Sequence, residues 1–278
     1  MNMTQALQVV AQTDPGMVRS HNEDSVAFDA ELGLVVLADG MGGYNAGEVA
    51  SGIAVSVTMT EITQFLQAGG SFSAHDEAHG AEYGVALIGD NICRANASIY
   101  HAANSQPQYA GMGTTIVAAL FYDNRVVVGH VGDSRMYRLR DDKLSLLTRD
   151  HSFLQEQIDS GVITQAEARF SRNKNLVTRA VGIDEEVEPE VHVHDVRVGD
   201  IYLLCSDGLN DMVDDEEIEN TLYAMQSNLP MAVEQLIQMA NDMGGRDNVS
   251  AILIKVLADF SEPRGWMASL LTRFKKQA

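Results

Sequence analysis

Cysteine is almost missing from this chain of 278 residues: Cys93 and Cys205 are the two present. Two thiols cannot make the dense disulfide framework of a small secreted domain, and Cys205 sits inside the apolar run 201–205, where a reduced buried thiol is expected. That points to a reducing, cytoplasmic compartment. Proline is scarce at 5, while hydrophobic residues make up 45% of the chain, so wholesale disorder and fibrous repeats are excluded. No run of 18 uninterrupted apolar residues occurs, and residues 1–10 carry no basic segment ahead of an apolar one, so neither a transmembrane segment nor a secretory leader is expected. Basic residues are also few. Lys+Arg 19 against Asp+Glu 39 gives a net charge of −20, which repels phosphate backbones and anionic lipid, so nucleic acid is not an expected partner. The same surplus draws divalent cations.

Short runs rich in β-branched residues read as strands at 7–11, 32–38, 114–120, 125–131, 136–139, 191–196, 201–205 and 249–256. Two long segments, 46–67 and 82–103, instead repeat apolar residues at helical spacing, and shorter helices are expected over 153–160, 165–168, 215–225 and 231–243. The Gly/Ser/His-rich stretch 69–80 reads as a loop. Helices fall in pairs between hairpin-spaced strands and do not alternate with them strictly. This favours an α+β fold of antiparallel sheets packed face to face and covered by helices, as a single domain over residues 1–258 with a tail from 259 to 278.

Four acidic residues share one context. Asp39, Asp133 and Asp207 each follow an apolar strand, Asp247 just precedes one, and the first three have Gly40, Gly132 and Gly208 beside them. Any one Asp-Gly pair is an ordinary turn. Four together, with Glu23 and Asp24 as a further acidic pair, suggest one converging cluster, tolerable only if protonated or filled by cations. Oxygen ligands without cysteine or paired histidine suit Mg²⁺ or Mn²⁺.

The motifs carrying these residues are Arg19-Ser-His-Asn-Glu23-Asp24-Ser, Leu37-Ala-Asp39-Gly40-Met41-Gly42-Gly43, Gly111-Met-Gly113-Thr114-Thr115, Gly129-His-Val-Gly132-Asp133-Ser134-Arg135, Ser206-Asp207-Gly208 and Arg246-Asp247-Asn248-Val249-Ser250. Their order and spacing resemble the metal-dependent serine/threonine protein phosphatases (PPM, type 2C), in particular the bacterial branch, over roughly residues 10–257. The resemblance implies a four-layer αββα sandwich with two Mn²⁺ or Mg²⁺ ions per chain. Asp39 would bridge them, Asp207 and Asp247 would complete one site, Glu23 and the Gly40 carbonyl would serve the other, and Asp24 would act through water. A third ion would sit on Asp133 with Asp207. Arg19 would bind phosphate, and a metal-bridging water would attack phosphoserine or phosphothreonine in line. The implied partners are phosphoproteins and a bacterial serine/threonine kinase; a monomer is expected.

Many eukaryotic relatives carry a histidine as general acid where this chain has Met41, which cannot donate a proton. His21 and His151 are the candidate substitutes, each weighed against a structural role, which is preferred. His192 and His194 alternate on one strand and share a face, as an ion clamp or, preferably, as solvent-facing residues. Arg169, Arg172, Lys174 and Arg179 form a basic island without an acid where bacterial relatives have a variable substrate flap. In the tail, Trp266, Leu270, Leu271 and Phe274 fall on one helical face, as a membrane anchor, a partner helix or a segment packed on the domain. The main rival function is a scaffold of the same fold without activity. No P-loop occurs.

Overall fold

The computed structural model describes residues 3–43, 46–68, 70, 77–168 and 176–261. In chain order these form β1 (Leu7–Asp14), β2 (Asp24–Asp29), β3 (Leu34–Met41), α1 (Ala46–Gln67), α2 (Glu77–Ser105), β4 (Gly113–Thr114), β5 (Ile116–Tyr122), β6 (Arg125–Val131), β7 (Arg135–Arg140), β8 (Lys143–Leu146), α3 (Phe153–Asp159), α4 (Gln165–Ala168), β9 (Glu190–Asp195), β10 (Ile201–Cys205), α5 (Asp207–Asn210), α6 (Asp215–Ala224), α7 (Leu229–Asp242) and β11 (Val249–Val256). One sheet runs β1-β11-β10-β7-β8 and the other β2-β3-β5-β6-β9, with β4 appended to β3; every pairing is antiparallel.

Alternation along each strand builds three apolar layers. Val35, Leu37, Val117, Val126 and Val128 point inward from one sheet to meet Tyr202, Leu204, Ile252 and Ile254 of the other. Their strand neighbours Leu34, Val36, Ala118 and Val127 point outward under α1 and α2. On the far side Leu203, Ala251 and Leu253 lie under Leu236 and Ile237 of α7. The order is therefore helix, sheet, sheet, helix, the αββα sandwich expected. Alone among the described helices, α1 is long and apolar enough by composition to cross a membrane. In the fold Ala50, Ala54 and Ile62 of that helix are fully buried in the outer core layer. Cys205 is a buried free thiol, as expected, and burial pushes it up to about 12; Cys93 is free and exposed.

Several boundaries differ from the sequence reading. α2 begins at Glu77, inside the stretch read as loop, so its first turns include His79 and Gly80. β2 and β8 carry no continuous apolar run and were not expected; each gains its strand character from pairing, β2 with β3 and β8 with β7. Asp39 lies within β3, not beyond its end, because Gly40 and Met41 extend the strand by pairing with Thr114 and Gly113. Phe260, past the expected domain boundary, is buried between the sheets and its amide donates to Asn124 Oδ1 at 2.8 Å. The amphipathic stretch of the tail from Trp266 to Phe274 lies outside the described residues.

Candidate metal centre

Antiparallel pairing brings the end of β3, the start of β2 and the end of β6 to one edge of their sheet, and the end of β10 to the start of β11 in the other. Asp39 and Asp24 are direct cross-strand partners. Asp207 opens α5 just after β10, Asp247 precedes β11 by two residues, and Asp133 sits in the turn from β6 to β7. The two sheets are stitched at this edge by Asp24, whose Oδ2 accepts from Ser206 Oγ at 2.8 Å and Ser250 Oγ at 2.6 Å.

Each carboxylate is aimed by its backbone. The Asp39 carbonyl accepts from the Thr115 amide and the Thr114 hydroxyl, both at 2.8 Å, while the Asp39 amide donates to Thr115 Oγ1 at 3.0 Å. Glu23 and Arg19 ride on the loop between β1 and β2, which buried Asn248 holds: its Nδ2 donates to the carbonyls of Pro15 (3.0 Å) and His21 (2.9 Å), and its Oδ1 accepts from the Glu23 amide at 2.8 Å. The Glu23 carboxylate meets the amide of Gly47 at the start of α1, and Ser51 Oγ of the same helix donates to the Glu23 carbonyl at 2.6 Å. A Cβ on Gly47 would come within 2.7 Å of Glu23 Oε1 and 2.8 Å of the Gly40 carbonyl carbon, so only glycine lets helix, carboxylate and carbonyl pack together.

The electrostatics are those of anions forced together. Burial first, then repulsion from Asp24, Asp207, Asp133 and Asp247, holds Asp39 well above the usual carboxylate range. Asp207 is raised likewise, by burial and by Asp133, Asp211, Asp247 and Asp24. Burial raises Asp133 to about 7, with Asp150 adding to it, and raises Asp24 to about 6 against the hydroxyls of Ser250 and Ser206. Glu23 is raised by burial more than the Gly47 amide lowers it. Asp24 Oδ1 is buried without a partner. A donor set made only of carboxylate and carbonyl oxygens, short of protons or cations to balance it and with an orphaned oxygen inside, fits hard divalent ions.

Arg19 stands at the rim, its side chain 53% exposed, with Nη2 donating to Asp247 Oδ2 at 2.7 Å. Beside Asp133 and Asp207 a cavity of ≈ 250 Å³ opens, lined further by Asp150, Asp211, Leu154 and Met212. Met41 pairs with Gly113 at the end of β3, and His21 gives its carbonyl to the Asn248 strap. His151 is buried close to Gly132, and its ring is held at about 4, below its ordinary value, by burial and by His130 and Arg179. His192 is exposed, as preferred, but His194 turns inward and buries an Nε2 that has no partner. Of the basic island, Arg179 donates to the Glu188 carbonyl at 2.9 Å; Arg169, Arg172 and Lys174 lie outside the described residues.

The profile of the protein phosphatase 2C family matches residues 18–254. The chain belongs to this family. It is 38% identical to the serine/threonine protein phosphatase PstP of Mycobacterium tuberculosis over 257 residues, which cover 92% of this chain and 46% of PstP. It therefore spans about half the length of that curated relative. The serine/threonine phosphatase Stp of Listeria innocua is 36% identical over 250 residues, with 88% of this chain and 94% of Stp covered. Among solved structures, the catalytic domain of PstP in complex with two manganese ions superposes with a TM-score of 0.78 at 37% identity, over 91% of this chain and 99% of that one. The αββα sandwich is thus the family's fold as well as this chain's. Family motifs named the carboxylates but gave no role to Gly47, Ser206, Ser250 or the Asn248 strap. Of these, Ser206, Asn248 and Ser250 lie inside quoted motifs, next to or near a named ligand, and that was the signal available.

Proposed function

We propose that this chain is a divalent-metal-dependent protein serine/threonine phosphatase. The observation that carries the reading is the convergence of Glu23, Asp24, Asp39, Asp133, Asp207 and Asp247 on one edge of the sandwich, with burial and mutual repulsion raising Asp24, Asp39, Asp133 and Asp207. Asp39 would bridge two ions, with Asp207 and Asp247 on one and Glu23 and the Gly40 carbonyl on the other; Asp24 would reach them through water, and Asp133 with Asp207 would hold a third. Mn²⁺ or Mg²⁺ so bound supplies an acidified water and neutralises phosphoryl charge. Arg19 supplies the rest of the recognition: its exposed fork beside Asp247 can turn to two phosphoryl oxygens of an entering phosphoserine or phosphothreonine. Met41 offers no proton to the leaving alkoxide. The substrates in this reading are phosphoproteins, with Arg169, Arg172, Lys174 and Arg179 as a basic docking surface, and the counterpart is a bacterial serine/threonine kinase acting on the same sites. A cytoplasmic monomer goes with it.

The test is release of phosphate from a phosphothreonine peptide with Mn²⁺, with Mg²⁺ and with chelator, for the parent and for Asp39→Asn and Asp207→Asn. Activity should need the metal and fall by about three orders of magnitude or more in both variants, whose circular dichroism stays native, since charge stabilisation at the reacting group is the largest catalytic contribution. Full activity of either variant at saturating metal refutes the assignment.

A further inference from the structure

We propose that His151 is a positioning residue for Asp133, acting through Gly132, and is not a proton donor; this rests on the reading of Asp133 as a cation ligand. Gly132 takes φ +105°, and a Cβ there would come within 2.6 Å of Thr115 Cγ2, so the turn that aims Asp133 is one that only glycine makes. Glycine takes φ values of either sign with similar ease, so the groups bonded to its amide and carbonyl choose the one that aims Asp133. His151 grips the Gly132 residue at both polar groups: the Gly132 amide donates to His151 Nδ1 at 3.1 Å, and the His151 amide donates to the Gly132 carbonyl at 2.9 Å. The other end of the clamp is the segment just before Arg179, where the Thr178 amide donates to the His151 carbonyl at 2.8 Å.

The ring is not free to do anything else. Because the Gly132 amide can only donate, Nδ1 accepts and the neutral ring carries its proton on Nε2, which faces Glu190 Oε1 at 3.5 Å. Arg179 Nη1, also a donor only and 3.2 Å from Nε2, makes no hydrogen bond to this tautomer and donates to the Glu188 carbonyl instead. One ring face stacks on His130, with centroids 4.8 Å apart and planes 12° from parallel. Both nitrogens are committed inside the protein, and the ring's depressed pKa agrees with a histidine that stays neutral. His130, His151 and Glu190 do bring three potential ligand atoms within 4.8 Å of one another. Two stacked rings, however, aim their lone pairs along separate planes and cannot meet on one ion. Arg179 at 3.2 Å from His151 Nε2 and Arg149 at 3.9 Å from Glu190 Oε1 already bring positive charge there.

Side-chain isosteres separate positioning from proton transfer. Asparagine places an acceptor oxygen about where Nδ1 lies, whereas glutamine reaches the place of Nε2. Mn²⁺ titration by calorimetry and steady-state kinetics on a phosphopeptide would be run on the parent, Asp133→Asn, and His151→Ala, →Asn and →Gln. His151→Ala should weaken the weakest Mn²⁺ step by about three- to tenfold, the worth of one hydrogen bond, and lower kcat with KM little changed. His151→Asn should restore both and His151→Gln neither. Nitrogen-15 spectra of the parent should show the Nε2–H tautomer at neutral pH. An Nδ1–H tautomer, rescue by glutamine instead of asparagine, or an alanine variant that loses kcat with every Mn²⁺ step intact would overturn the proposal. If the parent has no phosphatase activity the functional reading falls, but the tautomer and the Mn²⁺ titrations still decide the role of His151.

Discussion

At the scale of single residues, the site is built from side chains whose partners are as informative as their identities. Arg19 is the clearest case. Its guanidinium is raised by its hydrogen bond to Asp247 and by the charge of the same carboxylate, so it is fixed as a cation beside a proposed ligand. A phosphate ester arriving at the rim would take over the fork, and the exchange costs little because the pair is solvent-exposed. Arg19→Ala should therefore lower kcat/KM for a phosphopeptide by about 10- to 100-fold, the range for a charge-assisted hydrogen bond, chiefly through KM. Arg19→Lys, which keeps the charge and loses the fork, should fall between. Steady-state kinetics decides this, and an unchanged kcat/KM would remove Arg19 from the site. The motif around Arg19 singled the residue out. It could not reveal that Asn248, more than two hundred positions away, holds the loop Arg19 rides on through three hydrogen bonds.

At the scale of elements, the meeting of α1 with β2 and β3 is what brings the residues of half the proposed metal site together. The start of α1 contributes the Gly47 amide to the Glu23 carboxylate and the Ser51 hydroxyl to its carbonyl, and it abuts the Gly40 carbonyl. Gly47→Ala forces a methyl group between two proposed ligands of the same ion. The expected outcome is a fold that survives, with Mn²⁺ activation shifted to concentrations about tenfold higher or more, comparable to loss of a ligand's supporting contacts. Thermal melting and Mn²⁺-dependence of activity check it together; an unchanged activation curve would show that neither Glu23 nor Gly40 serves the ion. Elements with continuous apolar runs, such as β6, β10 and β11, were legible to the residue in the sequence, because burial on both faces leaves an unmistakable string. β2 was not. Asp24 and Asp29 bound it, it pairs on one side only, and its own residues are mostly half-buried, so no period announces it. The start of α2 was hidden for a different reason: Gly80 in a Gly/Ser/His-rich stretch has poor helix propensity, so the local sequence carries no signal for the helix there.

At the scale of the whole molecule, two sets of buried titratable groups make opposite demands on pH. The candidate ligands resist ionising in the metal-free protein: Asp24 is raised to about 6, Asp133 to about 7, and Asp39 and Asp207 well above their ordinary value. Their unfolded pKa is about 4, so a raised folded value contributes stability that is complete below about pH 4 and lost as pH climbs through 6 and 7. His130 and His151 act the other way. Burial lowers both, His151 to about 4, so their contribution is complete above the unfolded value near 6.5 and lost as pH falls towards 4. In chelator, then, the histidines undermine the acid side and the carboxylates the neutral side, and the melting temperature should peak at mildly acid pH and decline towards pH 8. Divalent cations bind the ionised carboxylates and compete with their protons, so the stabilisation they add by mass action grows with the fraction ionised. The difference in melting temperature between Mn²⁺ and chelator should rise steadily from pH 5 to pH 8, and Asp39→Asn should flatten it while leaving the acid-side loss untouched. A difference independent of pH would mean that the cations stabilise the protein somewhere other than this carboxylate cluster.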